Sequence, residues 1–489
     1  QKFSFGKKID WHLDPVSGES WPPKYWPDID CLSENRLGDI KFAWEINKHQ
    51  HFFALGKAYW HTKDEKYAEE FTCQILDWIE NNPYEIGINW IATVHIAQRI
   101  ISWIFGYEFF KDSEIFQNRA LKQFLKSLYL QTKFIRSHLS IDRKIRTNYF
   151  VGEVATLILT GITFPEFRES KEWIDAGIKL LDREIKNLIY EDGASREQST
   201  SYHRLIIDFL LLITVYAKRN NIELTKVIES YTEKTLEFAM YITRPDGRVP
   251  MVGDNGEERG YRFDTLSDFW DFSASLAAGA VLFNRRDMKF IAGKFPQETF
   301  WLLGIEGFRK YQQIKKTEPD NISIAFGDSG YYLMRNNWTN DGTYLLFKSG
   351  SSEGNREPSI HGHCDLLSFE LCLGGLPVII DTGTYAYNLS HRVRNYFQDV
   401  KAHNTVSVDG KNQAVIIKAF EWREIPIIKC RNWFSCNDYD LAEGSHNGYS
   451  KTSQPVDHIR TILFVKKHNY FVIRDTFEGM GQHTFEQYF

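Results

Sequence analysis

Cysteine is scarce in this chain: six residues (Cys31, Cys73, Cys364, Cys372, Cys430 and Cys436) are scattered over 489, with no CxxC spacing. That pattern argues against a disulfide framework or a thiolate zinc site and for free thiols that pack, Cys364 and Cys372 among them. Positive charge is not in excess either. Lys and Arg number 59 against 64 Asp and Glu, a net charge of −5. This excludes a basic, nucleic-acid-coating protein while leaving room for local cations that meet an anionic ligand. No apolar run reaches the ~20 residues of a bilayer span. The longest, LIIDFLLLITVYA at 205–217, contains Asp208 and reads as a buried helix, so no membrane span is expected. The N-terminal QKFSFGKKID has no apolar signal core, and a chain that begins with Gln is read as processed or trimmed. A fixed-period solenoid repeat is also missing.

What is present is enough apolar material for two or three domains, at 43% hydrophobic residues. Residues 1–37 are rich in Trp, Pro and Asp and read as an irregular arm on a folded surface. From residue 38 to about 315 the apolar period is helical. IKFAWEINKHQHFFALGKAYW, KYAEEFTCQILDWIENN, WIATVHIAQRIISWIFGYEFF and their successors give about nine or ten helices in antiparallel hairpins. A curved or toroidal array accommodates that number better than a four-helix bundle. From residue 316 to 489 short alternating runs separated by Gly, Asn and Asp predict an antiparallel β-sandwich. The last run, HTFEQYF, reads as a strand of a sheet that continues beyond the chain.

One stretch concentrates the chemistry. In HGHCDLLSFELCLGGLPVIIDTGTYAYN (361–388), His361 and His363 stand two apart, so an extended backbone points both to one face. LLSFELCL and PVII read as strands joined by Gly374-Gly375. Asp381 ends the second strand, with Tyr385 and Tyr387 after it, and His403 precedes a third strand, NTVSV. His363, Asp381 and His403 are the ligand types a divalent ion such as zinc takes, with His361 beside them and free to work. The bland alternative is a pair of surface histidines on a strand.

Four helical segments also depart from plain amphipathic packing. In RTNYFVGE (146–153), Asn148 and Glu153 open a helix, where Asn148 could simply be its cap. In YEDGASREQSTSYHR (190–204), Tyr202, His203 and Arg204 sit in the first turns of a very apolar helix. RPDGRVPMVGDNGE (244–257) carries too many turn residues for a connector and reads as a loop at a site rim. In NWIATVHIAQR (89–99), Arg99 needs an acidic partner or a ligand.

Together, NYFVGE, REQSTSYHR, HGHCDLLSF, the Asp-Thr-Gly segment and AHNTV resemble, in order and type, the heparinase II/III superfamily of polysaccharide lyases. The resemblance implies an incomplete (α/α) toroid followed by an antiparallel β-sandwich, and cleavage of a uronic-acid polysaccharide by β-elimination. It implies Asn148 as the amide neutralising the uronate carboxylate, Tyr202 as the catalytic tyrosine and His361 as the catalytic histidine. His363, Asp381 and His403 become ligands of a mainly structural metal, zinc by expectation, with calcium as the alternative. Many relatives have His after the asparagine, where this chain has Tyr149. Arg99, Glu153, His203, Arg204, Tyr385, Tyr387 and Arg394 are the candidates for substrate contact. Arg392 and Lys401 are further basic residues near the motif. The partner expected is an anionic uronate polymer, and the location a bacterial periplasm or exterior, with the cytoplasm and the oligomeric state left open.

These residue types suit the reaction. C5 of a uronate is weakly acidic, so hydrogen-bond donors to its carboxylate must stabilise the charge that develops. A phenol with a reference pKa of ~10 needs nearby cations to act as base, for which Arg204, His203 and His361 are candidates. Heparan sulfate or heparin leads as substrate, ahead of chondroitin, hyaluronan or an alginate-like polymer. Two other classes stay open. A glycoside hydrolase would draw on Glu153, Glu197 and Asp254 as paired acids. A polysaccharide-binding or export protein would have kept the fold without the reaction.

Overall fold

The apolar period between Asp39 and Gln313 resolves into thirteen α-helices among the described residues of the computed structural model. It describes residues 8–31, 37–142, 146–351, 354–356, 360–385, 391–418 and 421–489. The helices outnumber the nine or ten expected because single residues break long periodic stretches. IKFAWEINKHQHFFALGKAYW becomes Ile40–Asn47 and Phe52–Thr62, interrupted at His49, whose φ of 55° no helix accommodates. Ser273–Phe283 likewise ends on left-handed Asn284 before Arg286–Ala292 begins.

By compactness the chain forms two units, and these do not follow the change from helix to strand. The first comprises residues 1–184, 208–228 and 259–265, the second 185–207, 229–258 and 266–489. Helix Thr200–Arg219 therefore gives its first turns to the second unit and the rest to the first.

In the first unit, helices Thr93–Phe110 and Asn148–Thr163 are buried over most of their length and pack together. Close approach of helix Asn148–Thr163 to its neighbours depends on Gly152, where a Cβ would lie 3.0 Å from the Phe209 ring. Trp11 and Trp21 of the irregular N-terminal segment are buried in this unit. Each such side chain removed from water stabilises by ~1.5–3 kcal/mol.

In the second unit the strands are β1 (Ile324–Phe326), β2 (Tyr331–Arg335), β3 (Tyr344–Lys348), β4 (Asn355–Arg356), β5 (Phe369–Leu373), β6 (Leu376–Ile379) and β7 (Val406–Val408). They continue as β8 (Val415–Lys418), β9 (Glu421–Arg423), β10 (Ile427–Ser435), β11 (Tyr439–Tyr449), β12 (Val456–Val465), β13 (Tyr470–Gly479) and β14 (Phe485–Gln487). Two five-stranded antiparallel sheets, ordered β1-β2-β3-β5-β6 and β13-β12-β11-β10-β4, carry most of them. Met334, Phe347 and Phe369 from one sheet share a buried core with Ile428, Ala442 and Ile462 from the other, the arrangement of a β-sandwich. The Gly374-Gly375 hairpin is present, with both residues at positive φ (56° and 81°) and Leu373 paired to Leu376. All six cysteines are free, Cys364, Cys372 and Cys430 buried. No helix among the described residues is long and apolar enough to cross a membrane.

Candidate active site and metal centre

The segment HGH does not lie on a strand. Residues 361–368 form an irregular, turn-rich lead-in to β5, with Leu367 at a φ of 58°. The expectation of an extended backbone is corrected here: turn geometry, not pleat alternation, aims the two imidazoles. They nonetheless converge. His361 Nδ1 lies 3.0 Å from Asp254 Oδ2, and His363 Nε2 lies 3.1 Å from Asp254 Oδ1. Arg394 donates to Oδ2 at 2.9 Å and Thr384 Oγ1 to Oδ1 at 3.3 Å, so each carboxylate oxygen receives two donors.

Asp254 is held from three sides within the second unit. Its N–H donates to the His361 carbonyl at 2.8 Å, and its own carbonyl accepts from Ser199 Oγ at 2.6 Å. Thr200 Oγ1 donates to the Pro250 carbonyl at 2.6 Å, tying the same loop to the start of helix Thr200–Arg219. Gly253 makes this approach feasible: at φ +71°, a Cβ there would sit 2.4 Å from the Gln198 carbonyl and 2.8 Å from that of His361. Burial of the Asp254 carboxyl favours its neutral form. The Arg394 guanidinium and the hydrogen bonds from both histidines outweigh that and hold it well below the usual carboxylate range.

Tyr202 stands on the first turns of helix Thr200–Arg219, its ring centroid 4.3 Å from that of His361 and tilted by 38°. Both retain slight exposure, 5% and 8%. His361 Nε2 lies 3.4 Å from Glu197 Oε2. Phenol, imidazole and the carboxylate behind the imidazole thus form one constellation.

His363, Asp381 and His403 are each buried and place one ligand atom apiece within 4.8 Å of the others. His403 Nδ1 lies 2.8 Å from Asp381 Oδ2, while Asp381 Oδ1 accepts from the Gly383 N–H at 2.9 Å. Two buried ring nitrogens, His363 Nδ1 and His403 Nε2, have no hydrogen-bond partner. A buried polar atom without a partner is costly, and a cation accepting its lone pair removes the cost. The donor set fits a divalent ion. Burial disfavours charge on both groups, but their mutual attraction prevails, lowering the Asp381 pKa and raising that of His403. Asn404 fixes the geometry, its side-chain amide donating to the Phe369 and Ile380 carbonyls at 2.9 and 3.0 Å.

The other candidates are placed differently. Arg204 is buried, donating to the Phe269 carbonyl and, at 2.7 Å, to that of Asp271, with its guanidinium over the Phe272 ring. It anchors the 269–272 segment rather than meeting a sugar. His203 directs Nε2 at the Thr235 carbonyl (3.0 Å), and burial pushes its pKa down to about 4, so it is neutral and cannot be the cation beside Tyr202. Arg394, expected to meet sulfate or carboxylate, is buried against Asp254; the exposed Arg392 on the same helix instead lines a cavity of about 980 Å³ with Tyr396, Lys411 and Lys451. Tyr385 is 72% exposed and its ring lies parallel to that of Phe397. Tyr387 lies outside the described residues.

In the first unit, Arg99 is buried, bonded to Gln131 (2.7 Å) and the Asn89 carbonyl (3.1 Å), with its cation 4.4 Å above the Trp78 ring. No carboxylate answers it among these contacts, and burial pushes its pKa down to about 9. Glu153 is also buried, its oxygens accepting from Thr93 (2.5 Å) and from Ser140 Oγ (2.7 Å) and N–H (2.8 Å). Both side chains are bound up in the fold, which corrects their expected contact with substrate. Asn148 is buried at the first position of its helix, and the cap position falls on Thr147. Asn148 is therefore not the cap, the bland role considered for it.

Sequence reasoning missed Asp254 as the hub, although its loop carried too many turn residues for a connector. Both Asp254 and Glu197 enter the sequence reading only as candidate hydrolase acids.

Comparison with known proteins agrees along the whole chain. The profile of the heparinase II/III N-terminus matches residues 1–270, and that of the heparinase II/III-like C-terminal region matches residues 318–489. A heparin-sulfate lyase of Pedobacter heparinus is 27% identical over 97% of this chain and 62% of its own length. One from Bacteroides stercoris is 27% identical over 84% of this chain and 57% of its own. The chain thus spans somewhat less than two thirds of these relatives. A crystal structure of heparinase III superposes with a TM-score of 0.72 at 22% identity, covering 98% of this chain and 66% of that one.

Proposed function

Since this chain belongs to the heparinase II/III family, we propose that it is a polysaccharide lyase cleaving a uronate-containing glycosaminoglycan, of the heparin or heparan sulfate type, by β-elimination. The observation that carries the reading is the 4.3 Å approach of the Tyr202 and His361 rings, with Asp254 behind the imidazole. Tyr202, as phenolate, takes the C5 proton; the C5–H electrons form the C4=C5 double bond; the C4–O4 bond breaks; and Tyr202 returns the proton to O4. His361 supports the phenolate from the adjacent face and serves as base for the opposite C5 epimer. Asn148 contributes the amide that stabilises charge on the uronate carboxylate.

His363, Asp381 and His403 hold one divalent metal, zinc by ligand type. When bound, it supplies a fixed positive charge that locks the turn carrying His361. The periplasm or the cell exterior of a bacterium is the expected location. The relatives from Pedobacter heparinus and Bacteroides stercoris are heparin-sulfate lyases, which favours heparin-type chains over chondroitin, hyaluronan or alginate-like polymers. The hydrolase reading loses support, because Asp254 and Glu153 are fully buried and engaged by protein donors.

The test is a panel of uronate polymers followed by absorbance of the unsaturated uronate near ~232 nm. Heparan sulfate or heparin should give product, and Tyr202→Phe should lower kcat at least ~1000-fold while substrate affinity stays within about threefold. New reducing ends without ultraviolet-absorbing product would overturn the reading.

A further inference from the structure

Asp254 belongs to neither expected group: it is not a ligand of the His363–Asp381–His403 cluster, nor does it sit in the motif that holds His361. Yet it is the residue both reach. One oxygen faces the imidazole of the proposed catalytic pair, and the other faces the imidazole of the proposed metal site, at 3.0 and 3.1 Å. We propose that Asp254 is a positioning residue that couples the metal centre to His361, fixing the tautomer and orientation of both imidazoles from a single carboxylate. This rests on the lyase reading for its catalytic consequence, though not for its geometry.

Donors and acceptors around Asp254 fix the protonation of both rings. An ionised carboxylate only accepts, so each ring nitrogen facing it must carry the hydrogen. His361 then has Nδ1–H toward Asp254 and its second nitrogen, Nε2, on the side of Glu197. His363 has Nε2–H toward Asp254, which leaves the lone pair on Nδ1. That is the buried nitrogen without a partner, the atom a metal would take. A carboxylate that holds the far nitrogen of a metal-binding histidine fixes its tautomer and raises its basicity. Here the same carboxylate does this for a histidine that binds no metal.

Asp254 has little freedom to do otherwise. It is fully buried, its backbone is bonded to His361 and Ser199, and Gly253 permits the tight approach. Arg394 and Thr384 fill the remaining acceptor positions, one per oxygen. A movement of His363 on metal binding therefore passes to His361 through one rigid group.

The experiment compares full-chain wild type with Asp254→Asn, circular dichroism first establishing that both fold. Zn²⁺ is titrated into chelator-stripped, ¹⁵N-histidine-labelled protein while ring nitrogens are followed by NMR, with His361 assigned by loss of its signals in His361→Gln. In wild type, Zn²⁺ should shift the His361 ring signals, and His361 should report hydrogen on Nδ1. In Asp254→Asn that shift should vanish, and Zn²⁺ should dissociate to a chromophoric chelator about tenfold faster. On the heparan-type substrate kcat should fall about a hundredfold, with KM within threefold. Wild-type His361 signals unmoved by Zn²⁺, or a variant with wild-type shifts and zinc release, would overturn the coupling. If wild type makes no unsaturated product on any polymer, the lyase reading falls, while the NMR and zinc-release arms still decide the bridge.

Discussion

A charge inside an apolar helix has to be met by its partner, and Asp208 and Arg259 show how. Arg259 Nε and its second nitrogen donate to the two Asp208 oxygens at 2.7 and 3.2 Å, and the Gly260 N–H adds a third bond at 3.0 Å. Both side chains are almost wholly removed from water. Removing one partner of such a pair leaves a buried charge uncompensated, at about 3–5 kcal/mol. Arg259→Leu should lower stability in urea unfolding by that order. The double variant Asp208→Leu/Arg259→Leu should recover part of the loss, because it removes the orphaned charge. Full additivity of the two single losses would contradict the pairing. At this scale the sequence was partly legible. Asp208 was visible as an anomaly in an apolar run, but its partner, 51 positions away, carried no local signal. Arg99 was equally visible, and its solution by an amide, a carbonyl and an indole face could not be read from spacing. That His363, Asp381 and His403 come together was legible because all three carry donor side chains beside short alternating runs. The hub role of Asp254 was hidden because Asp in a Gly-rich loop is what any turn contains.

Elements were legible wherever one period dominated. The alternation of β5 and β6 and their Gly-Gly turn appear as expected, since a two-residue turn with both φ positive demands glycine. Where a segment obeys tertiary contacts instead, period misleads: HGH alternates like a strand but folds as turns around a carboxylate it meets more than a hundred residues away. The β12–β13 pair carries a further buried network. Asp475 Oδ1 accepts from His458 Nε2 at 2.7 Å and from Arg460 Nε at 2.8 Å. Burial alone would raise its pKa, but these donors lower it to about 2. The folded value lies below the unfolded one of ~3.9, so the stabilisation is complete above that pH and is lost as pH falls toward about 2. Its size is of the order of 2 kcal/mol. The melting-temperature gap between wild type and Asp475→Asn should therefore be widest near pH 5 and close by pH 2. A gap constant over that interval would show that the carboxylate's charge does not matter.

Across the whole molecule, the order of helices before sheets was legible because helical and alternating periods occupy separate stretches of sequence. The partition into compact units was not, because helix Thr200–Arg219 is continuous in period yet contributes to both. This bears on the chemistry. Tyr202, His361 and Asp254 all belong to the second unit. If His361 works by supporting the Tyr202 phenolate, removing the phenol also removes what the imidazole acts on, and the two losses cannot multiply. His361→Ala should lower kcat about 100-fold and Tyr202→Phe at least ~1000-fold on the heparan-type substrate. The double variant should then be no more than about tenfold slower than Tyr202→Phe alone. Were the two losses instead to multiply, with each variant keeping its fold by circular dichroism, the imidazole and the phenol would contribute independently. The support of the phenolate by His361 would then have to be abandoned.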